Sequence, residues 1–352
     1  MFTKNIKFKN FIKPKNSNKD KYIRSLIKEK HLLNKYPLLN SLTKKFQYSY
    51  QKKKIKKFKS YSEVNLIGMG GSTLGAEAIY DFLNNKIKKN FMFYNNIQFQ
   101  TIPKTNKKKI NLIISKSGNT LETISNLNLL LQKQNKNKNI FLCEKKNNFL
   151  SLLAKKLKAD IFEHKNYIGG RYSVLSESAM FPAALMGLKI KKFKNLEKLI
   201  NNKSFSTCLN KNVATIYSLF KRKINNSVIL NYDSNSIGLA EWYKQITSES
   251  LGKKGMGITP IISNCPKDHH SILQLYLDGP KNKFFTFFSS TIDNKRINSI
   301  VNAQSKAVKN VFKKKKFHVW TEEENSGTPQ YTARCITCFG LLTWSGRPFV
   351  FY

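Results

Sequence analysis

Gln245 and Glu249 lie four residues apart in the run Glu241-Trp242-Tyr243-Lys244-Gln245-Ile246-Thr247-Ser248-Glu249-Ser250-Leu251-Gly252-Lys253. That spacing puts an amide and a carboxylate on one helical face. Taken alone, Glu249 reads as a surface salt-bridge partner. Beside Gln245, which can orient a bound molecule, it is a candidate general base. Arg171, in Gly169-Gly170-Arg171-Tyr172-Ser173, is one of six Arg in a chain with 57 Lys, which argues against a generic surface charge. A preorganised guanidinium stabilises a developing oxyanion by about 3 kcal/mol. Lys267-Asp268-His269-His270-Ser271 supplies two histidines suited to proton transfer near neutral pH. Position alone does not tell His269 from His270.

Two loops add a binding chemistry. Gly68-Met69-Gly70-Gly71-Ser72-Thr73-Leu74-Gly75 follows an apolar run and opens an amphipathic one. Its glycines miss the GxGxxG spacing, and the chain has no GxxxxGK[ST] sequence, so neither a dinucleotide fingerprint nor a P-loop is expected. Ser115-Lys116-Ser117-Gly118-Asn119-Thr120, then Leu121-Glu122-Thr123, again sits between an apolar strand and a helix start. Hydroxyls, a lysine and free N–H groups at one helix N-terminus make a cradle for a phosphate ester. An N-cap explains one hydroxyl but hardly four.

The elements around these loops read as parallel α/β architecture, in which ligands sit beyond the carboxyl ends of the strands. Strands are expected at Val64–Ile67, Ile97–Ile102, Leu112–Ile114 and Ile140–Cys143, with helices after the first and third and another over Ser176–Met186. The pattern then restarts. Val228–Tyr232, Ile258–Ile262 and Phe284–Ser289 read as strands; Leu239–Ser250, His270–Leu277 and Ile297–Phe312 read as helices. Four segments follow: a basic helical arm over 1–60, α/β domains over 61–190 and 191–316, and an atypical tail over 317–352.

These runs, in this order, resemble the signatures of the phosphoglucose isomerase family: GxGGSxLG, SKSxxTxET, Gly-Gly-Arg-Tyr-Ser, Gln-x-x-x-Glu-Ser-x-Gly-Lys and a loop histidine before Ser. The resemblance covers about residues 60–312. It implies two doubly wound sugar-isomerase (SIS)-type domains with parallel sheets, the second incomplete at its C-terminus. It implies interconversion of glucose 6-phosphate and fructose 6-phosphate through a cis-enediolate, with Glu249 moving a proton between C2 and C1, Arg171 steadying the enediolate and His270 opening the sugar ring. It further implies a homodimer in which each His270 serves the other protomer's site, and a structural role for His269. Gly71, Ser72, Ser115, Ser117, Thr120 and the Lys116 backbone would hold the phosphate, with Gln245 orienting the sugar and Glu122 close by. No metal or organic cofactor is implied. A bifunctional enzyme that also accepts mannose phosphate is a variant of this reading.

One departure stands out. Residues 317–352 contain no lysine, although they hold two of the three Trp and two of the five Cys. The family's Phe-Asp-Gln-x-x-Val-Glu-x-x-x-Lys-like stretch, whose lysine takes part in ring opening, has no match there. A functional tail, a replaced end or a frame change would each leave such a break. The departure opens an alternative: a catalytically impaired sugar-phosphate-binding protein.

Composition bounds the remaining classes. The 352 residues, 40% hydrophobic, carry a net charge of +43. Such charge draws polyanions. Here it is spread along the chain and almost all Lys, whereas specific nucleic-acid readers favour the Arg fork. No specific nucleic-acid partner is expected. No signal-peptide core or membrane-length apolar run is visible, so a cytoplasmic location is expected and a membrane partner is not. The five scattered Cys form no disulfide framework, and Cys335-Ile336-Thr337-Cys338 lacks the second pair of ligands that a zinc site needs.

Overall fold

The computed structural model describes residues 36–97, 108–133, 137–194, 202–291 and 295–325. The residues divide into two compact units, with the boundary after Lys194. In the first unit, five strands form one parallel sheet: β1 (Glu63–Ile67), β2 (Asn90–Tyr94), β3 (Lys109–Ile114), β4 (Lys138–Cys143) and β5 (Asp160–Glu163). Their order is β2-β1-β3-β4-β5. The strands are short apolar runs, and β1 and β3 are buried at every position, as expected of a sheet covered on both faces. Helices α1 (Leu74–Phe82), α2 (Leu121–Lys133) and α3 (Phe149–Lys156) follow β1, β3 and β4, and α4 (Glu177–Leu185) closes the unit.

On one side of this sheet, Ile67, Ile113 and Phe141 of neighbouring strands pack with Leu127 and Leu130 of α2 and Leu150 of α3. A polar ladder runs through its interior. Asn65 Nδ2 donates to Asn111 Oδ1 at 2.8 Å, and Asn111 Nδ2 donates to Asn139 Oδ1 at 2.9 Å. The three residues are register partners on β1, β3 and β4.

The second unit repeats the plan. After α5 (Lys203–Lys221) come β6 (Asn226–Asn231), α6 (Ile237–Leu251), β7 (Thr259–Asn264), α7 (Leu273–Asp278), β8 (Lys283–Thr291), α8 (Lys295–Lys314) and β9 (Val319–Asn325). Its sheet is parallel, in the order β7-β6-β8-β9. Phe285 and Phe287 of β8 pack edge-to-face against Phe312 of α8 in the core. Within the lysine-free stretch, Val319–Asn325 is therefore a strand, in register with β8 from Phe285↔Val319 to Thr291↔Asn325.

The structure is α/β with parallel sheets, as the sequence led us to expect, with local differences. The second strand runs over Asn90–Tyr94 rather than starting at Ile97; of the residues expected to form it, 98–102 lie outside the described ones. The expected helix over His270–Leu277 begins at Leu273, because Lys267–His270 forms a separate 3-10 turn. Residues 1–35 of the basic arm, and Cys335 and Cys338, lie outside the described residues. Among the described residues no helix is long and apolar enough to cross a membrane.

Candidate functional site

In the first unit the strand order reverses between β1 and β3, since β1 connects outward to β2 and β3 outward to β4. Loops leaving the carboxyl ends at such a point part and open a crevice. The two loops that leave here are Gly68–Thr73 and Ser115–Thr120. They touch at their bases: a Cβ on Gly68 would lie 2.6 Å from the Ile114 carbonyl oxygen.

The Ser115–Thr120 loop is a hydroxyl cluster at the start of α2. Ser115 Oγ and Thr120 Oγ1 are 2.8 Å apart, and Ser117 Oγ is 3.5 Å from the same Thr120 oxygen. Ser115 Oγ also accepts the Gly118 N–H and Ser117 Oγ the Asn119 N–H. Gly118 takes the left-handed conformation at φ +69, which turns the chain into the helix; a Cβ there would collide with Asn148. Glu122 is half-buried in the first turn of α2.

The Lys116 side chain does not join this cluster. Its Nζ donates to the Asn166 carbonyl at 2.7 Å and lies 3.5 Å from Glu144 Oε1. Lys146 Nζ is 3.0 Å from the other Glu144 oxygen. Burial alone would raise the Glu144 pKa, but the Lys146 and Lys116 ammoniums together hold it below the usual carboxylate range. His164 is buried close by, and burial pushes its imidazole pKa down, with the Lys116 charge acting in the same direction.

The 3-10 turn Gly170–Leu175 brings Arg171 to the first loop. A Cβ on Gly71 would lie 2.3 Å from the Gly170 carbonyl carbon and oxygen and 2.7 Å from Arg171 N, so only glycine permits this approach. Ser173 Oγ lies 3.0 Å from the Gly71 carbonyl oxygen and 2.6 Å from that of Gly170, tying the turns together. The Arg171 guanidinium lies 5.0 Å from the Tyr172 ring centroid. Within the first unit, Gly71, half-buried Ser72 and Arg171 therefore form one group beside the hydroxyl loop.

In the second unit, Gln245 Nε2 donates to Glu249 Oε1 at 2.7 Å on α6, while Gln245 Oε1 is buried without a partner. Glu249 is exposed. His270 is exposed at the end of the turn that follows β7. His269 differs: its Nε2 lies 2.9 Å from the Tyr232 hydroxyl, and burial, then the neighbouring His270, push its pKa down. Asp268 fixes this turn by accepting from Ser263 Oγ and the Asn264 N–H. Helix α6 leads from the end of β6 back to the start of β7, so Glu249, near its end, lies toward the start of β7, while His270 lies in the turn past the end of β7. Glu249 and His270 of one chain are not brought together within this unit.

Sequence reasoning missed the brace behind the hydroxyl loop. The Glu144 N–H donates to the Lys116 carbonyl, the Leu150 N–H to the Gly118 carbonyl and the Phe149 N–H to Asn119 Oδ1. Asn148 and Ser151 form a reciprocal capping box at the start of α3. Its three-residue spacing was the one available signal. Among the described residues no three or more of His, Cys, Asp and Glu converge in a way that could hold a metal ion.

Residues 36–265 match the family model described as Phosphoglucose isomerase. Among curated proteins, the chain is 36% identical over 248 residues to a glucose-6-phosphate isomerase of Methanocaldococcus jannaschii, covering 66% of this chain and 61% of the relative. It is 31% identical over 277 residues to one of Campylobacter jejuni, covering 71% and 64%. The chain thus spans less than two thirds of the length of these relatives. Among solved structures, a hypothetical protein of Thermus thermophilus superposes with a TM-score of 0.77 at 17% identity, covering 94% of this chain and 89% of that one. A glucose-6-phosphate isomerase of Chlamydia trachomatis superposes at 0.67 with 13% identity, covering 98% and 84%. At such identities the superpositions speak for the fold alone.

Proposed function

The chain belongs to the phosphoglucose isomerase family, and we propose from that premise that it interconverts glucose 6-phosphate and fructose 6-phosphate through a cis-enediolate, as a cytoplasmic homodimer serving glycolysis and gluconeogenesis. The observation that carries this reading is the 2.7 Å hydrogen bond from Gln245 to Glu249, which fixes a solvent-accessible carboxylate on a rigid helix.

The steps follow from the chemistry of the groups. Gly71, Ser72, Ser115, Ser117 and Thr120, with the Lys116 backbone, hold the phosphate by N–H and O–H donors at the start of α2. His270 moves a proton between the ring oxygen and the C1 hydroxyl, opening the ring. Glu249 then takes the C2 proton and returns it to C1, while the hydroxyl proton passes in the same sense, from the C2 oxygen to the C1 oxygen. Arg171 steadies the enediolate oxygen, and Gln245 orients the sugar beside the base. The opposite placement of Glu249 and His270 on one sheet supports His270 acting in the site of the other protomer.

A coupled assay of fructose 6-phosphate conversion on the full chain tests the reaction. Glu249→Gln is expected to slow C2 proton exchange by about 10²–10⁴-fold, with sugar-phosphate binding nearly unchanged. Normal isomerisation by that variant would remove Glu249 as the base. The lysine-free stretch after Lys316 favours a second reading, a sugar-phosphate binder without turnover. It expects saturable binding of fructose 6-phosphate and no conversion.

A further inference from the structure

The Ser115–Thr120 loop carries a lysine at its second position, yet the Lys116 ammonium turns to Asn166 and Glu144 rather than to the loop's hydroxyls. Two anchors hold it there, the Asn166 carbonyl at 2.7 Å and Glu144 Oε1 at 3.5 Å. Of these only Glu144 carries a counter-charge. The Glu144 side chain is about nine-tenths buried, and its second oxygen is engaged by Lys146 at 3.0 Å. Its own N–H donates to the Lys116 carbonyl, so backbone and carboxylate grip the same residue. The same connection packs Asn148 against Gly118 and donates the Leu150 N–H to the Gly118 carbonyl.

We propose that Glu144 is a positioning residue that parks the Lys116 ammonium away from the phosphate cradle, leaving hydroxyls and backbone N–H groups as the donors that meet a phosphoryl group. This rests on reading Ser115–Thr120 as that cradle. The physical consequence is weak, fast-exchanging anion binding. A mobile ammonium added to a dianion tightens the complex and makes it salt-dependent, whereas fixed neutral donors hold it with little response to salt. An enzyme that must release a product carrying the same phosphate as its substrate gains turnover from that restraint.

The test is calorimetric titration of the full chain with inorganic phosphate and with fructose 6-phosphate, at low and at physiological salt. Glu144→Gln removes the counter-charge on Lys116 and leaves the neutral Asn166 carbonyl as its anchor, while keeping side-chain size and the backbone bond. We expect phosphate affinity to rise by about two- to fivefold at low salt, the size of one added solvent-accessible charge pair, with a steeper salt dependence. Adding Lys116→Met to that variant should abolish both gains. Glu144→Asp, which keeps the charge with a shorter reach, should show a smaller gain and serves if the Gln variant does not fold. Unchanged or weaker affinity in a folded Glu144 variant overturns the proposal, because a merely structural brace would loosen the cradle without steepening the salt response. A parent chain that binds neither ligand overturns the cradle reading and this inference with it. Saturable binding in the parent that Glu144→Gln leaves unmoved overturns only this inference.

Discussion

Glu249 and His270 of one chain flank β7 from opposite ends, Glu249 on the helix that leads into the strand and His270 in the turn that follows it. Glu249 is twelve residues into α6, about 18 Å along the helix from its start at a rise of 1.5 Å per residue. That start follows the carboxyl end of β6, so the helix carries Glu249 back toward the start of β7. The six residues of β7 then run about 20 Å before the turn that holds His270. A proton-transfer pair must meet one small molecule, and this placement is why we propose that His270 serves the other protomer's site.

Mixing two inactive variants tests the consequence. Glu249→Gln and His270→Ala are each expected to be inactive alone. After dissociation and reassociation, half of the dimers are mixed, and each mixed dimer has one site with both groups intact, so about a quarter of parental activity should return. Recovery of none, with mixed dimers verified by mass spectrometry, would place His270 in its own chain's site or outside catalysis.

The contact between Gly71 and Gly170 gives a second prediction. A methyl group on residue 71 would sit 2.3 Å from the Gly170 carbonyl, against backbone that cannot rotate away. Gly71→Ala should therefore push the first loop from the Arg171 turn and weaken fructose 6-phosphate binding by about tenfold or more, since small displacements of binding groups are costly. Calorimetry gives the affinity, and circular dichroism checks that the sheet persists. Parental affinity in a folded variant would show that the loop separation does not matter to binding.

These examples show which features the sequence carries. The loops at Gly68 and Ser115 were legible because glycine and hydroxyl residues break sharply from the apolar runs before them, and Gln245 and Glu249 because helical spacing is local. The strand at Asn90–Tyr94 was misplaced because Ile97-Gln98-Phe99-Gln100-Thr101-Ile102 alternates apolar and polar residues as a half-buried strand does, and so competes with the short apolar run just before it. Helix α5 was overlooked although Leu209, Val213, Ile216 and Phe220 recur at helical spacing, because it falls where the sequence reads as a connection between the two α/β units. The parking of Lys116 by Glu144 was invisible because it joins two connections 28 residues apart in sequence, through contacts that no local pattern encodes.

The asparagine ladder of the first sheet gives a third prediction. Asn111 accepts from Asn65 and Asn137 and donates to Asn139. Asn111→Ala would strand the Asn65 amide in the interior and leave a small void. A loss of about 2–4 kcal/mol in denaturant-unfolding stability is expected, from unpaired polar groups at about 1–3 kcal/mol each. Replacing Asn65, Asn111 and Asn139 together by Val should cost less than the single change, because the buried polar partners then leave together. A neutral Asn111→Ala would show that the ladder contributes nothing net.

Glu177 opens α4 with its side chain fully buried; Oε1 accepts the Ser49 N–H at 3.0 Å, and Oε2 has no partner. Burial raises its pKa above the usual carboxylate value, more than the Ser49 N–H and the Lys165 charge lower it. The folded state therefore holds the proton more tightly than the unfolded chain does. Below the unfolded pKa of about 4.3 both states are protonated, and the site's contribution to stability is fully present. As pH rises through the folded pKa the unfolded state releases its proton first, and that contribution is lost. Glu177→Gln keeps an acceptor for Ser49 and carries no charge at any pH. The variant should match the parent near pH 4 and melt higher by about a few degrees at pH 7 to 8. Thermal unfolding of both proteins across that range decides the matter. A difference that does not grow with pH would mean that Glu177 is not the group that titrates.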